Sequence, residues 1–171
     1  MANTYIYISS VTVGSGGASS IDFTSIPSTY TDLKLVASVR STNAQVYSVL
    51  KTTFNGSTSG YSYKIFEGNG SSASTGNNSS LTYFPWNEGT GASATANTFG
   101  NAELYIPNYA GSTNKSLSSD GVSETNATLA YIDLIAGNWS NTAAITSISF
   151  IPDAGNWVQY STVYLYGIKN S

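Results

Sequence analysis

The 171-residue chain contains neither cysteine nor histidine. Without cysteine there are no disulfide bonds or thiolate nucleophiles, and without histidine there are no serine-histidine-aspartate triads or cysteine-histidine dyads. The usual zinc ligand sets also need one or both of these residue types. Composition alone therefore excludes most hydrolase and metalloenzyme classes, and we predict that the protein is not an enzyme and binds no cofactor.

Charged side chains are scarce as well, at 9% of the residues, with six Lys and Arg against nine Asp and Glu. The bases are scattered singly, so no basic patch can neutralise phosphates and we expect no nucleic-acid partner. No apolar run approaches the roughly 20 residues of a membrane-spanning helix, and the first ten residues lack the basic and apolar regions of a signal peptide. We expect neither a membrane partner nor secretion through a signal peptide.

The carboxylates are the remaining candidates for acid-base chemistry or for a hard cation. They are Asp22, Asp32, Glu67, Glu88, Glu103, Asp120, Glu124, Asp133 and Asp153. No two of them fall in a shared motif. A glycosidase with two catalytic carboxylates therefore stays an alternative, but no sequence pattern favours it. Asp120-Gly121 with Glu124 is the nearest approach to a calcium loop, and a turn carrying two exposed acids is the simpler interpretation.

The residues that are abundant favour a β protein. Ser, Thr, Asn and Gly supply nearly half of the chain, while 40% of the residues are hydrophobic and 13% aromatic. This combination is typical of strands joined by polar, uncharged turns rather than of a disordered chain. The clearest pattern runs from Asp32 to Arg40, where Leu33, Leu35 and Val39 alternate with polar residues. It predicts a strand with one buried and one solvated face.

The same patterns predict a two-sheet antiparallel β-sandwich of about eight to ten strands, with no substantial helix, formed by a single domain over residues 1–171. Pro27 predicts a bend within the second strand, Asn55-Gly56 a tight turn, and residues 68–80 and 89–97 polar loops. The predicted strands are 4–13, 21–23 continued by 32–40, 46–54, 61–67, 81–86, 102–106, 115–119, 128–136, 144–151 and 160–168.

Eight apolar residues on one side of the alternating strands are predicted to form the core between the sheets. They are Leu33, Leu35, Val39, Leu104, Ile132, Leu134, Ile148 and Phe150. The strand 128–136 is nearly continuous in hydrophobicity, which predicts a central position in its sheet.

The aromatic residues have two interpretations. Trp86, Trp139 and Trp157 lie at strand ends or turns, where they could stack against sugars or act as core and interface anchors; packing or interface contact is favoured. Tyr61, Tyr63 and Tyr105 are expected on an exposed strand face with few charges, which is typical of a protein-contact surface.

Three segments carry a resemblance to a known group of proteins. They are IDFTSIPSTYTDL from Ile21 to Leu33, the Phe-Asn-Gly turn from Phe54 to Gly56, and TVYLYGI from Thr162 to Ile168. Together they resemble small jelly-roll structural proteins of tailed bacteriophages, some of which are capsid decoration or cement subunits and others the heads of fibres.

The resemblance implies a jelly-roll sandwich located in the virion, on the outer capsid surface or alternatively in a tail or fibre. It also implies a homo-oligomer, commonly a trimer, with the major capsid protein as partner. Strand patterning begins by Tyr5, with no heptads or repetitive stalk before it. This favours a capsid decoration subunit over the alternative, a fibre head that binds a host glycan or receptor.

Overall fold

The computed structural model describes residues 4–125 and 130–169. It shows an all-β fold, as the sequence predicts, and no helix long and apolar enough to cross a membrane occurs among these residues. The strands number twelve rather than eight to ten: β1 Tyr5–Thr12, β2 Ile21–Phe23, β3 Asp32–Val39, β4 Tyr47–Phe54, β5 Tyr61–Gly68, β6 Ala73–Leu81, β7 Phe84–Thr90, β8 Gly100–Ile106, β9 Lys115–Glu124, β10 Ala130–Trp139, β11 Ile148–Pro152 and β12 Thr162–Ile168.

The strands form two antiparallel sheets that pack face to face. The large sheet has the order β1-β12-β3-β8-β9-β10-β5-β6, and the small sheet has the order β2-β11-β4-β7. The small sheet and the run from β3 to β6 follow the jelly-roll order, with the meander β8-β9-β10 in the place of a single strand. The meander has an odd number of strands, so β3 and β5 on its two sides run in the same direction, as they would with a single strand between them. Each can therefore pair with the meander in antiparallel fashion. β12 and β1 extend the large sheet beyond β3.

The segment predicted as one strand with a bend at Pro27 is two strands in different sheets. β2 pairs with β11 in the small sheet, and β3 pairs with β12 and β8 in the large one. Between them Ser25 adopts a positive φ of 54°, and the buried Ile26 donates its N–H to the carbonyl of Thr146. The bend that the sequence locates correctly is therefore a crossing from one sheet to the other.

The prediction of a loop over residues 68–80 is wrong, because most of this polar segment forms β6. The Asn69 side chain accepts the N–H groups of Ser71 and Ser72, and Gly70 has a φ of 84°, so the chain reverses and pairs with β5. β6 lies at the sheet edge and is mostly solvent-exposed. Its polar side chains therefore meet water, which is why hydrophobic patterning does not reveal it.

Six of the eight residues predicted for the core are buried at 0–1% exposure: Leu33, Leu35, Val39, Leu104, Ile148 and Phe150. The prediction is wrong for Ile132 and Leu134, since each is 54% exposed. Along β10 the inward residues are Asp133 and Ile135 instead. β10 carries apolar residues on both faces, so its pattern does not tell the two faces apart, and a change of one residue in register exchanges them. The predicted strand also began at 128, and residues 128–129 lie outside the described part of the chain.

Candidate functional site

The side of the large sheet that faces away from the small sheet, here called the outer face, exposes a cluster of apolar side chains. Phe66 is 67% exposed, and Ile132 and Leu134 are each 54% exposed. Leu134 pairs opposite Phe66 across β10 and β5, so these side chains are cross-strand neighbours. We call these three residues the apolar patch. They line a shallow groove of about 410 Å³ whose far wall is Ala73 to Thr75 of β6.

The other end of the outer face carries a tyrosine cluster, defined as Tyr5, Tyr7, Tyr164 and Tyr166. Tyr5 and Tyr7 are more than half exposed, and the ring of Tyr166 meets Tyr7 edge-on at 6.1 Å and stacks near Tyr164 at 6.4 Å. Lys34 lies 5.9 Å from the Tyr5 ring centre. The rings thus form a broad, weakly charged surface around a single base.

Tyr105 lies between these two regions of the outer face. Its hydroxyl donates a hydrogen bond of 2.7 Å to Asp32, which raises the pKa of Tyr105 to about 12. Beside it Lys34 and Glu103 form a 2.6 Å ion pair, the only salt bridge found within residues 4–125 and 130–169. The expectation that Tyr105 lies on an exposed strand face agrees with its 37% exposure.

The other aromatic residues singled out from the sequence do not reach the outer face. Trp86, Trp139, Trp157 and Tyr61 are 0–1% exposed. Tyr61 stacks on Trp139 at 6.1 Å, and the Trp157 indole donates to the carbonyl of Phe150. These four rings are core packing residues and present no free face to a sugar. The expectation that Tyr61 lies on an exposed face is wrong, because β5 points Tyr61 inward.

Tyr63 also points inward, to a cleft between the two sheets. This cleft has a volume of about 270 Å³, and its walls include Tyr63 and Ile65 of β5, Val49 of β4 and Pro85 of β7. We call it the acidic cleft, because three carboxylates also line it: Glu67 of β5, Glu88 of β7 and Asp133 of β10.

Strand register brings these acids together. Asp133 pairs directly opposite Glu67, and both side chains lie on the inner face of the large sheet. Glu88 comes from the small sheet, where a bulge in β7 offsets its pairing: Val49 of β4 opposes Glu88, whereas Lys51 opposes Pro85. A bulge turns side chains away from the regular alternation, and bulges are frequent beside functional sites.

Two carboxylate oxygens in the cleft have no hydrogen-bond partner among the described residues. They are Oδ1 of Asp133, a residue only 1% exposed, and Oε2 of Glu88. Burial, reinforced by the negative charge of Glu67, raises the pKa of Asp133 to about 6. Burial together with the charge of Asp133 raises the pKa of Glu88 to about 8. The fold therefore holds these acids in a place that disfavours their ionised form.

The sequence did not identify this cluster, because its members are far apart in the chain and share no motif. One signal was present: Glu67 stands two residues after Ile65 and Asp133 two residues before Ile135, so each acid shares the face of an inward isoleucine. Glu88 had no such signal, because the bulge in β7 breaks the alternation there.

The calcium candidate is not a loop. Asp120 and Gly121 lie within β9 rather than in a turn, with Asp120 exposed on the outer face. Glu124 instead accepts hydrogen bonds from Thr95 and from the Thr98 hydroxyl. Across the ranges 4–125 and 130–169, no group of three acidic side chains is arranged to hold a metal ion. The expectation of a turn is wrong because β9 continues past Ser119.

Comparison with known proteins adds no family to this description. No protein-family model matches the chain, and no curated protein sequence matches it either.

Proposed function

We propose that the protein is a virion structural subunit of a tailed bacteriophage that binds the capsid shell as a homo-oligomer and stabilises it. The observation that carries the assembly role is the outer face of the large sheet, where the three residues of the apolar patch are each more than half exposed. Contiguous exposed apolar side chains on a folded protein are typical of an interaction surface. The phage and capsid parts of the proposal come from the sequence resemblance.

The composition of the outer face suits burial against another protein. Its charges are the Lys34–Glu103 ion pair and a few single groups such as Lys64 and Asp120, and between them lie apolar, tyrosine and small polar side chains. Tyrosine is enriched at protein interfaces. Few charges would have to be removed from water when such a face is covered. Contacts made by this face are therefore expected to depend only weakly on salt concentration.

We assign the apolar patch to the contact between copies of the chain, which by the resemblance form a trimer. Interfaces between permanently associated copies are the more apolar ones. The tyrosine cluster, with polar hydroxyls on apolar rings, is assigned to the major capsid protein. The proposal includes no catalytic activity, because the chain has no histidine or cysteine to act as base or nucleophile.

The oligomer contact is tested by making the apolar patch polar with Phe66→Ser, Ile132→Thr and Leu134→Thr together. The variant should remain folded, because these side chains contribute little to the core, and should dissociate to monomers in light-scattering chromatography. Tyr160→Ser is the matched control, since Tyr160 is 67% exposed but lies outside the patch. An unchanged oligomer in the triple variant would refute this assignment.

The capsid role is tested on particles prepared with and without the protein. Binding only to the assembled shell should raise the temperature at which the genome is released. Adsorption to host cells is measured on the same two samples. Equal heat resistance combined with lost adsorption would reject capsid stabilisation and support a head that binds a host glycan or receptor.

Catalysis is tested separately by screening the protein against polysaccharides and esters. We expect no turnover. Turnover that disappears on a single Asp or Glu to Ala substitution would show that the protein is an enzyme.

A further inference from the structure

The acidic cleft contains three carboxyl groups without a matching base. Glu67, Glu88 and Asp133 all line it. Lys64, which precedes Glu67 on the same strand, lies on the outer face instead. Lys51 of β4 lies over the Tyr83 ring at 5.2 Å and reaches the backbone carbonyl of Asp153. Among the described residues no base pairs with any of the three acids, because the only ion pair found there joins two other residues.

The cleft is built into the fold rather than being an accident of surface side chains. Asp133 is almost fully buried, with Oδ1 unpartnered, and Asn87 beside it donates to the Asp133 backbone carbonyl at 3.5 Å. Asn87 also fixes the chain next to Glu88 by accepting the Glu88 N–H at 2.7 Å. Buried polar atoms without a partner are rare in folded proteins and costly, so two in one cavity point to a ligand that supplies donors.

We propose that the acidic cleft binds a ligand that carries a primary ammonium group on an alkyl chain. An ammonium group has three donors and no acceptor, which matches carboxylate oxygens that lack a donor. The alkyl chain would pack on the apolar wall made by Val49, Ile65 and Pro85. The ligand is either a free alkyl amine or a lysine side chain of another protein, since both present the same group.

Two other classes of ligand fit the cleft less well. A divalent cation needs several oxygen ligands at close spacing, and no suitable group of three acids exists among the described residues. A neutral sugar would satisfy the two unpartnered oxygens but would not neutralise the negative charge. Only a cationic donor does both.

Binding should be coupled to proton release. The charges that act on Glu88 are those of Asp133, of Glu67 from β5 and of Asp153 after β11, whereas Glu67 alone acts on Asp133. Lys51 of β4 lies opposite Pro85 of the cleft wall. Tyrosines are also near: Tyr63 of β5 lines the cleft, and Tyr47 of β4 packs against Tyr131 of β10 with ring centres 5.1 Å apart. A bound ammonium group favours the ionised acids, so affinity should rise as the pH increases.

The test is calorimetric titration of the full chain with butylamine, run in two buffers of different ionisation enthalpy. Butanol is the uncharged control, calcium chloride tests a metal, and a short peptide with one lysine tests a protein source. We expect butylamine to bind and butanol not to bind, with protons released near neutral pH. A peptide that binds more tightly than butylamine identifies a lysine side chain as the source, and the reverse order identifies a small amine.

The variants are Asp133→Asn and Glu88→Gln, with Asp120→Asn as the matched control because Asp120 is exposed on the outer face. We expect at least about tenfold weaker butylamine binding in each cleft variant, the loss that removing one charged hydrogen bond gives. The control should bind as the parent chain does. Glu67→Gln, at a half-buried position, provides a further test if a buried substitution prevents folding.

Several results would overturn the inference. They are failure of both butylamine and the peptide to bind, equal binding of butanol, binding of calcium alone, and undiminished butylamine binding in folded Asp133→Asn and Glu88→Gln variants.

Discussion

Raising the pH from about 5 to about 8 should destabilise this protein, because Asp133 and Glu88 of the acidic cleft must then ionise in the folded state. The pKa of Asp133 is raised from 3.8 to about 6 and that of Glu88 from 4.5 to about 8. The folded chain therefore holds these protons more tightly than the unfolded chain does. Their stabilising contribution is complete below the unfolded pKa values and is lost as the pH rises through the folded ones.

The size of the loss follows from these pKa values. A difference of one unit between the folded and the unfolded pKa is worth about 1.4 kcal/mol of stability. For Asp133, a contribution of about that size is still present at about pH 5 and is lost by about pH 8. Glu88 would lose about 3.5 kcal/mol over the same interval, which we halve to about 2 because its side chain is partly exposed and therefore screened. Together the two acids should lower the free energy of unfolding by about 3 kcal/mol, a large part of the stability of a typical domain.

Urea denaturation at several pH values measures this effect directly. Asp133→Asn should reduce the dependence of the free energy of unfolding on pH by more than the contribution of the Asp133 carboxyl group alone. The reason is that the substitution also removes a charge that raises the pKa of Glu88. Adding Glu88→Gln should remove most of the remaining slope, whereas Asp120→Asn should leave the profile unchanged. A wild-type free energy of unfolding that stays level or increases from about pH 5 to about pH 8 would refute the reasoning, as would an unchanged slope in the double variant.

Three further predictions concern packing and hydrogen bonding. Gly137→Ala should destabilise the fold by about 1 to 3 kcal/mol, because the new Cβ would come within 2.2 Å of the buried Phe84 ring. A melting temperature equal to that of the unmodified chain would contradict this prediction. Leu35→Ala should cost about 2 to 5 kcal/mol in denaturant unfolding, since Leu35 is fully buried, and no loss would mean that the face of β3 is misassigned. Tyr105→Phe should cost about 1 kcal/mol by removing the bond to Asp32, and spectroscopic titration should show one high-pKa tyrosine fewer; an identical titration curve would count against that bond.

Local sequence patterns predicted strands wherever a buried face alternates with a solvated one. β3 is the clearest example, because its neighbours on both sides are strands and one face is dry. β6 lacked this signal, since an edge strand with two solvated faces has no hydrophobic alternation to detect. The sequence predicts β2 and β3 as one bent strand, because a bend between strands has the same turn chemistry whether the chain stays in one sheet or changes to another.

The sequence by itself determined the β class, the sandwich, six of the core positions and the absence of histidine and cysteine chemistry, because each depends on composition or on the two-residue strand period. Only the tertiary structure decided which face of β10 is inward, because both faces are apolar and the register with β5 and β9 selects one. That single choice placed Ile132 and Leu134 in the apolar patch and Asp133 in the acidic cleft. The cleft then needed Glu67 from a paired strand and Glu88 from the opposite sheet, and long-range pairing of this kind leaves no local trace in the sequence.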